Sequence, residues 1–272
     1  MSASPWLTIT RGQAPLLLSL PHTGTDLRTL EPRLVSSWLA RKDADWWIER
    51  LYNFAGGLGA TVVRTALSRT VVDVNRDPSG ASLYPGQATT ELCPTTTFDG
   101  ESLYRIGQAP DAVEIAARKI AYFDPYHTAL HEEIARLQAS CGVVVLYDCH
   151  SIRSVIPRLF KGELPMFNLG TNGGSSADPG LVRTVVDAMQ SSGQSYVVNG
   201  RFKGGWITRS CGDPAKGVHA LQMELACRAY LQEPIGRVSE DNWPPPYDLS
   251  YAEPAFSTLR RILVTVLAWA QR

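Results

Sequence analysis

The segment 143–151, which reads VVVLYDCHS, constrains the fold of this chain more than any other stretch. Its apolar and largely β-branched first half is typical of a strand buried on both faces of a sheet. The segment then ends in Asp148, Cys149, His150 and Ser151, and such polar side chains are costly to bury unless they are paired or form a site. The segment therefore predicts a central strand whose carboxyl end opens into a polar site.

Two further apolar segments end in polar side chains in the same way. Residues 15–20 (PLLLSL) run into Pro21 and His22, and a strand predicted at 218–225 (VHALQMEL) carries Glu224 near its end. In open α/β sheets, sites form outside the carboxyl ends of the strands. We therefore expect these groups to meet at one edge of a sheet.

Predicted strands alternate with predicted helices along the chain. The strands are expected at 15–20, 60–64, 70–74, 143–148, 195–198 and 218–225. The helices are expected at 44–57, 111–140 with a break near Pro125, 178–192 and 254–271. This alternation predicts an α/β fold with a mixed, mostly parallel central sheet flanked by helices. A chain of 272 residues can form such a fold as one unit, and we expect a single catalytic domain over residues 1–272.

Two long segments between these elements are rich in Pro and Gly. Residues 75–110 also contain many Thr, and residues 151–177 form the second such segment. Long connections in compact domains usually carry function. Both segments are predicted to be loops, and the longer one, 75–110, is expected to be functional.

Composition and charge argue against several classes of partner. The 26 Lys and Arg residues balance the 26 Asp and Glu residues, so charge does not favour nucleic acid or an anionic membrane. The apolar run 14–20 is too short to span a bilayer, and the first residues lack a signal-peptide pattern. Five cysteines without CxxC spacing argue against a disulfide framework. We expect a cytoplasmic protein with neither a nucleic-acid nor a membrane partner; its oligomeric state stays open.

The polar strand ends suit a divalent metal, most naturally zinc, with three protein ligands and an open position. His22 and His150 would supply two ligands. Asp45, at the start of a predicted helix, would supply the third, although Asp43 is an alternative and either carboxylate could simply cap the helix. Glu224 would take a proton from a metal-bound water. Each histidine alone could instead be a hydrogen-bonded structural residue.

Other candidate motifs fit catalysis less well. His127 and His131 are spaced to share one face of a helix, but Thr128 stands where a HExxH motif requires Glu, so a solvated or capping role is expected. Cys149 should point away from its neighbours in a strand, toward a packed face, so a packing role is favoured over a nucleophile. The sequence contains no G-x-S-x-G, P-loop or GxGxxG motif.

The sequence resembles the N-formylglutamate amidohydrolase (N-formylglutamate deformylase) family. The matching segments are, in order, SLPHTG (19–24), KDADWWIERLY (42–52), SRTVVDVNRDP (68–78), LYPGQATTELCPTTTFDGESLY (83–104), YDCHS (147–151), FNLGTNGGSSADP (167–179), NGRFKGGWITRSCGDPAKGVHALQMEL (199–225) and CRAYL (227–231). They span most of the chain, and together they are highly specific.

The resemblance implies a carboxypeptidase-like α/β fold and a zinc-dependent hydrolase, with another divalent transition metal as an alternative to zinc. It implies hydrolysis of N-formyl-L-glutamate to formate and L-glutamate in histidine degradation. By motif match, His22, Asp45 and His150 correspond to the metal ligands, and Glu224 corresponds to the general base.

A substrate of this kind is an N-formyl amino acid with two carboxylates, so its site should hold guanidinium groups that pair with carboxylates. Arg76 in DVNRDP and Arg209 in GGWITRSCG are the candidates. Asn75 is expected to hydrogen-bond the substrate. Asp148 is expected either to orient a ligating histidine or to satisfy backbone groups at the turn.

Two other functions remain compatible with these residues. One is a zinc-dependent hydrolase of a different N-acyl amino acid, which would need more room near residues 204–206 than a formyl group does. The other is a non-catalytic ligand-binding protein on the same scaffold. The presence of Glu224, which only chemistry requires, favours an enzyme.

Overall fold

A seven-stranded sheet forms the centre of the computed structural model, which describes residues 6–83, 86 and 88–272. Its strands are β1 (Leu7–Thr10), β2 (Leu16–Leu20), β3 (Thr61–Thr65), β4 (Val144–Ile152), β5 (Phe167–Gly170), β6 (Tyr196–Val198) and β7 (Val218–Ala226). Their order across the sheet is β1-β3-β2-β4-β7-β5-β6. The β1–β3 and β5–β7 pairs are antiparallel and the other four pairs are parallel. The predicted mixed, mostly parallel sheet is confirmed.

Seven α-helices accompany this sheet in the described part of the chain. They are α1 (Leu39–Lys42), α2 (Ile48–Leu51), α3 (Ala112–Arg118), α4 (Asp124–Cys141), α5 (Pro179–Gln190), α6 (Trp206–Cys211) and α7 (Leu249–Ala270). A π-helical turn over Lys119–Phe123 joins α3 to α4, just before Pro125. Because proline cannot donate a backbone hydrogen bond, the break predicted there takes this form. None of the described helices is both long and apolar enough to cross a membrane.

The helices cover both faces of the sheet, and alternate residues of β4 show how. Val145 and Tyr147 pack in one buried cluster with side chains of α5 and α7, including Leu181 and Leu259. Val144 and Leu146 pack in a second cluster with α4 residues, including Tyr126 and Leu130. Since successive side chains of a strand point to opposite faces, a strand segment that helices cover on both faces is apolar at successive positions. This explains the apolar run from Val144 to Tyr147, before the polar end of β4.

The strand predicted at 70–74 was wrong, because this segment forms turns and coil instead. Its β-branched residues favour a strand locally, but β1 occupies the position beside β3 at that edge of the sheet. The segment is buried nevertheless. The Asp73 carboxylate accepts a hydrogen bond from the backbone N–H of Asn75 (3.0 Å), which is typical of a turn. Burial of a coil segment gave the same apolar signal as a strand.

The helix predicted at 44–57 is also wrong for most of its length. Only α2 and a 3-10 helix over Asn53–Leu58 form there. Trp47 has a φ of 65° and a ψ of 2°, the left-handed conformation, which a right-handed helix cannot continue through. The chain therefore turns sharply between Asp45 and α2.

Of the two predicted loops, the first agrees with the structure where it is described and the second does not. Residues 75–110 contain no helix or extended strand where the structure describes them, and positions 84, 85 and 87 lie outside the described residues. The predicted loop 151–177 contains β5 and the end of β4. β5 is only four residues long (FNLG), too short to show an alternating pattern. β1 was likewise not predicted.

His127 has a structural role in α4. The side chain is buried, its ring stacks on Phe123 at 4.2 Å between centroids, and Nε2 lies 2.8 Å from the carbonyl oxygen of Val74. His131, four residues later, is exposed. The solvated or capping role expected for His127 was therefore wrong, since the ring donates to a neighbouring segment from a buried position. Burial lowers the pKa of His127 to about 4.

This lowered pKa predicts a pH-dependent loss of stability. Between pH 6.5 and 4 the unfolded chain binds a proton that folded His127 does not, so the free energy of unfolding falls as the pH falls through this window. Lowering the pH from 7 to 5 should cost the wild type roughly 2 kcal/mol more than H127Q. Urea unfolding at both pH values measures this difference. H131Q, changed at an exposed site, should behave as wild type, and equal pH dependence in wild type and H127Q would contradict the role of His127.

Candidate active site

Three strand ends meet at one edge of the sheet. β4 and β7 are parallel neighbours, and their register places His150 directly beside Glu224. β2 lies on the other side of β4 and leads into His22 two residues after its end. The structure thus brings together His22, His150 and Glu224, as the three apolar strand segments predicted.

His22, Asp45 and His150 form a buried cluster with the composition of a metal site. Their ligand atoms all lie within 4.8 Å of one another. The Nδ1 atoms of His22 and His150 lie 3.8 Å and 3.0 Å from Asp45 Oδ2, and no side chain of the three is more than 3% exposed. Within the described residues, this is the one group of His, Cys, Asp or Glu side chains arranged to hold a metal.

Two atoms of this cluster lack hydrogen-bond partners, although both are buried. They are His22 Nδ1 and Asp45 Oδ1. Buried polar atoms are nearly always paired in proteins, because an unpaired one keeps the full cost of its lost hydration. Unpaired nitrogen and carboxylate atoms that face one another fit a cation, so the residues present suit a divalent metal such as zinc.

Asp45, and not Asp43, belongs to the cluster. The backbone N–H of Asp45 donates to the carbonyl oxygen of His22 (2.9 Å), which fixes the loop against the end of β2. Asp43 points elsewhere: its Oδ2 accepts the backbone N–H of Phe98 (2.6 Å), and its Oδ1 lies 3.5 Å from Arg153. The sequence left these two carboxylates as alternatives, and their contacts separate them.

A buried carboxylate holds the far nitrogen of each histidine. His22 Nε2 lies 2.7 Å from Asp73 Oδ1, and His150 Nε2 lies 2.8 Å from Asp148 Oδ2. Such pairs fix the ring orientation and leave the other nitrogen to bind a metal. The position of Asp148 fits the orienting role expected from the sequence. Asp73 was missed, because it was assigned to a strand, yet an acidic residue within TVVDV is a signal that could have identified it.

The charges around the two histidines shift their pKa values in opposite directions. Burial and the nearby Arg69 guanidinium lower the pKa of His22, so its neutral form is favoured. Burial also opposes the charged form of His150, but Asp148 and Asp45 outweigh it and raise that pKa well above the ordinary value. A metal held by His150 Nδ1 would compete with this proton.

Asp73 is kept ionised by the cations around it. Burial alone would raise its pKa, but the guanidinium groups of Arg76 and Arg69, with the hydrogen bond from His22, hold the pKa well below its usual range. Arg69 Nη2 lies 2.6 Å from Asp73 Oδ2. The carboxylate is therefore available as a fixed acceptor for His22.

Glu224 stands next to the cluster but outside it. The side chain is 7% exposed, and its Oε2 accepts a hydrogen bond from Gln222 Nε2 (3.1 Å). Burial raises the pKa of Glu224 to about 7, with the Asp45 carboxylate adding to the effect and His150 opposing it. A carboxyl group with this pKa can exchange protons near neutral pH.

A cleft opens over the cluster, with both polar and apolar walls. His22, His150 and Glu224 form part of its floor. Its apolar wall consists of Phe98, Ile152, Leu159 and Phe202. Its cationic side chains are Arg69, Arg76 and Arg201. The combination suits a small anionic molecule.

Of the two arginines expected to bind substrate, the structure places one in the cleft. Arg76 lines it, and its Nε and Nη2 donate to Thr90 Oγ1 (3.2 Å and 3.0 Å). Arg209, on α6, is not among the lining residues, and its Nε donates to the carbonyl oxygen of Gly204 (2.9 Å).

The sequence did not single out the other two cleft arginines. Arg201 donates to the carbonyl oxygens of Leu159 and Ala88, both at 2.9 Å, so two loops hold it at the cleft. Its place in NGRFKGG, beside glycines, is a signal of the same kind as the one used for Arg76. Arg69 has no glycine beside it in the sequence, and only its contact with Asp73 in the structure shows that it belongs to the site.

Asn75 lines the cleft, but its amide is engaged with protein groups. Oδ1 accepts the backbone N–H of Ile207 (2.8 Å), so Nδ2 donates to Asp148 Oδ2 (3.0 Å), the same oxygen that accepts from His150 Nε2 (2.8 Å). Gly205 packs so closely that a Cβ there would lie 2.5 Å from the Asn75 amide. These contacts make Asn75 part of the support for His150; its contact with substrate stays a prediction.

Cys149 is fully buried and packs in the core cluster of α5 and α7. Burial raises its pKa well above the usual value, which disfavours the thiolate that a nucleophile requires. The side chain therefore has the packing role expected from strand alternation.

Comparison with known proteins identifies the family of this chain. A family model described as N-formylglutamate amidohydrolase matches residues 14–231. A curated N-formylglutamate deformylase from Pseudomonas aeruginosa is 45% identical over 267 residues, which are 97% of each chain. A second one, from Pseudomonas putida, is 43% identical over 265 residues, which are 97% of this chain and 96% of the relative.

Solved structures show the same fold at lower identity. The crystal structure of an N-formylglutamate amidohydrolase from Ralstonia eutropha aligns with a TM-score of 0.73 at 22% identity, over 97% of both chains. The structure of a gene product from Agrobacterium tumefaciens aligns with a TM-score of 0.67 at 17% identity, over 98% of this chain and 95% of the other. Since the family model covers most of the sequence and both curated relatives match nearly all of it, the chain belongs to the N-formylglutamate amidohydrolase family.

Proposed function

We propose that this protein is a metal-dependent deformylase that hydrolyses N-formyl-L-glutamate to formate and L-glutamate. The observation that carries the proposal is the cluster of His22, Asp45 and His150 beside Glu224 under a cationic cleft. The names of the two curated relatives support the substrate. We place the reaction in the cytoplasm and in histidine degradation, as the family resemblance implies, and assign it to one catalytic domain over residues 1–272.

The residues that would hold the metal are His22 and His150 through Nδ1 and Asp45 through its carboxylate. Two imidazoles and one carboxylate are a donor set of catalytic zinc sites. When bound, zinc would lower the pKa of a water molecule and polarise the formyl oxygen. Asp73 and Asp148 would keep the two rings in place by accepting hydrogen bonds from Nε2.

Glu224 is assigned the proton transfers. Its carboxylate takes a proton from the attacking water as the new C–O bond forms at the formyl carbon. The C–N bond then breaks, and Glu224 returns the proton to the leaving amino group of glutamate. The Gln222 amide holds one carboxylate oxygen, which leaves the other to face the cleft.

The two arginines predicted from the sequence are assigned different roles toward the substrate. Arg76 is proposed to pair with one of them, because it lines the cleft and Thr90 fixes its guanidinium plane. Arg209 is proposed to act indirectly, since its contact with Gly204 shapes the turn that leads to Gly205 and the cleft. Asn75 is proposed to contact the substrate while it supports His150.

Substitution of the two candidate aspartates tests the metal centre. D45N should remove one ligand and weaken zinc binding by at least about 100-fold, because a neutral amide binds zinc far more weakly than an anionic carboxylate does. D43N is the matched control, since Asp43 contacts Phe98 and Arg153 instead, and it should bind zinc as wild type does. Competition with a chromophoric chelator measures both dissociation constants. The reverse pattern, with D43N impaired and D45N unaffected, would contradict the assigned ligand set.

Replacement of the proposed base tests the reaction. Zinc-loaded wild type should release formate from N-formyl-L-glutamate, while E224Q should lose about 10²- to 10⁴-fold in kcat and still bind zinc, since Glu224 lies outside the ligand cluster. E132Q, changed at an exposed position, should keep full turnover.

Full turnover by E224Q would show that another group carries the proton. N-acetyl-L-glutamate and N-formyl-L-leucine serve as comparison substrates, measured by formate or acetate release. A preference for either of them over N-formyl-L-glutamate would contradict the proposed substrate, although the proposed metal-dependent hydrolysis would still hold.

A further inference from the structure

The Tyr230 hydroxyl lies next to the two backbone segments that carry ligand residues. Tyr230 follows a 3-10 helix, Cys227–Ala229, directly after β7, and its side chain is 0% exposed. Its hydroxyl oxygen lies 2.7 Å from the carbonyl oxygen of Trp46 and 2.8 Å from Ser151 Oγ. Trp46 is the residue after Asp45, and Ser151 is the residue after His150.

The direction of both hydrogen bonds follows from the chemistry of the groups. A carbonyl oxygen only accepts, so the Tyr230 hydroxyl donates its one proton to Trp46. It must then accept from the Ser151 hydroxyl. The result is a chain from Ser151 through Tyr230 to Trp46, in which both contacts occupy the single tyrosine oxygen.

The loop that this chain holds has little regular structure of its own. It connects α1 to α2, each of four residues, and Trp47 adopts the left-handed conformation that aromatic residues disfavour. Such a conformation persists only where surrounding contacts determine it. Trp47 Nε1 donates to the carbonyl oxygen of Pro245 (2.9 Å), and the Tyr230 hydroxyl holds the adjacent carbonyl.

We propose that Tyr230 is a positioning residue for the metal centre, which sets the separation of Asp45 and His150 by hydrogen-bonding the residue after each of them. The proposal rests on the metal centre proposed above. Tyr230 touches neither the ligand atoms nor the cleft, so its effect should fall on metal affinity and ligand geometry. β4 and the loop between α1 and α2 are far apart in sequence. The Tyr230 hydroxyl connects them at Trp46 and Ser151, each of which directly follows a proposed metal ligand.

The test compares Tyr230 with a second buried tyrosine whose hydroxyl makes the same kinds of hydrogen bond. Y230F removes the bridging hydroxyl. Y126F removes another fully buried hydroxyl, which also pairs with a serine, Ser19 (3.0 Å), and with a backbone carbonyl, that of Val63 (3.5 Å). Neither Ser19 nor Val63 adjoins a residue of the ligand cluster. Both variants lose the same kind of buried hydrogen bonds, but only one loses them beside the metal centre.

Zinc dissociation constants, measured with a competing chromophoric chelator, and the visible absorption spectrum of the Co²⁺-loaded protein are the readouts. Y230F should bind zinc about 10- to 100-fold more weakly than wild type, with an altered cobalt spectrum. Y126F should match wild type in both, even if the two metal-free variants lose similar amounts of stability to urea.

Wild-type zinc affinity and cobalt spectrum in Y230F would overturn the proposal, and so would an equal loss of affinity in Y126F. Should Y230F fail to fold, S151A removes only the link to the His150 segment; weaker zinc binding by S151A would support the proposal, and unchanged binding would overturn it. Wild-type protein that binds no zinc would instead contradict the metal centre itself, and with it this role of Tyr230.

Discussion

Two buried imidazole–carboxylate pairs, His22 with Asp73 and His150 with Asp148, are the interactions on which the site depends. Each pair ties up the Nε2 of its ring and leaves Nδ1 directed at Asp45. Four buried ionisable groups would be costly without such partners. Arg69 forms an ion pair with Asp73, and Asn75 donates a hydrogen bond to Asp148. These contacts stabilise the two carboxylates, and the cluster can therefore keep His22 Nδ1 and Asp45 Oδ1 without hydrogen-bond partners.

The sheet explains why these pairs can form where they do. β2, β4 and β7 are adjacent and parallel, so their carboxyl ends lie together and their polar residues emerge at one edge. The antiparallel β5 then closes the far side of β7, and its residue Asn168 donates to the backbone carbonyl of Glu224 (3.0 Å). The strands supply rigid positions, and the loops between them supply Asp45, Asp73 and the cleft arginines. This division is common in α/β proteins, in which a rigid scaffold places residues carried by loops.

The sequence predicted the parts of this site that strands carry. His22, His150 and Glu224 each follow or end an apolar run, so their meeting point followed from the rule about strand ends. The loop residues were harder to predict. Asp73 lies in a buried coil with the composition of a strand, and the turn at Trp47 interrupts what reads as a continuous helical pattern. Arg201 is held at the cleft by carbonyl groups of Leu159 and Ala88, which are distant in sequence, and Arg69 is held there by Asp73 in the buried coil. Local periodicity contains no information about such contacts, and tertiary packing decides them.

The central claim is that His22, Asp45 and His150 bind one metal ion through the two Nδ1 atoms and a carboxylate oxygen. Anomalous scattering at the zinc edge, recorded from crystals of zinc-loaded protein, tests it most directly. The account predicts one strong peak at about 2.0–2.2 Å from His22 Nδ1, His150 Nδ1 and an Asp45 oxygen, with both Nε2 atoms still paired to Asp73 and Asp148. A peak at other residues, or coordination through Nε2 with those pairs broken, would contradict it.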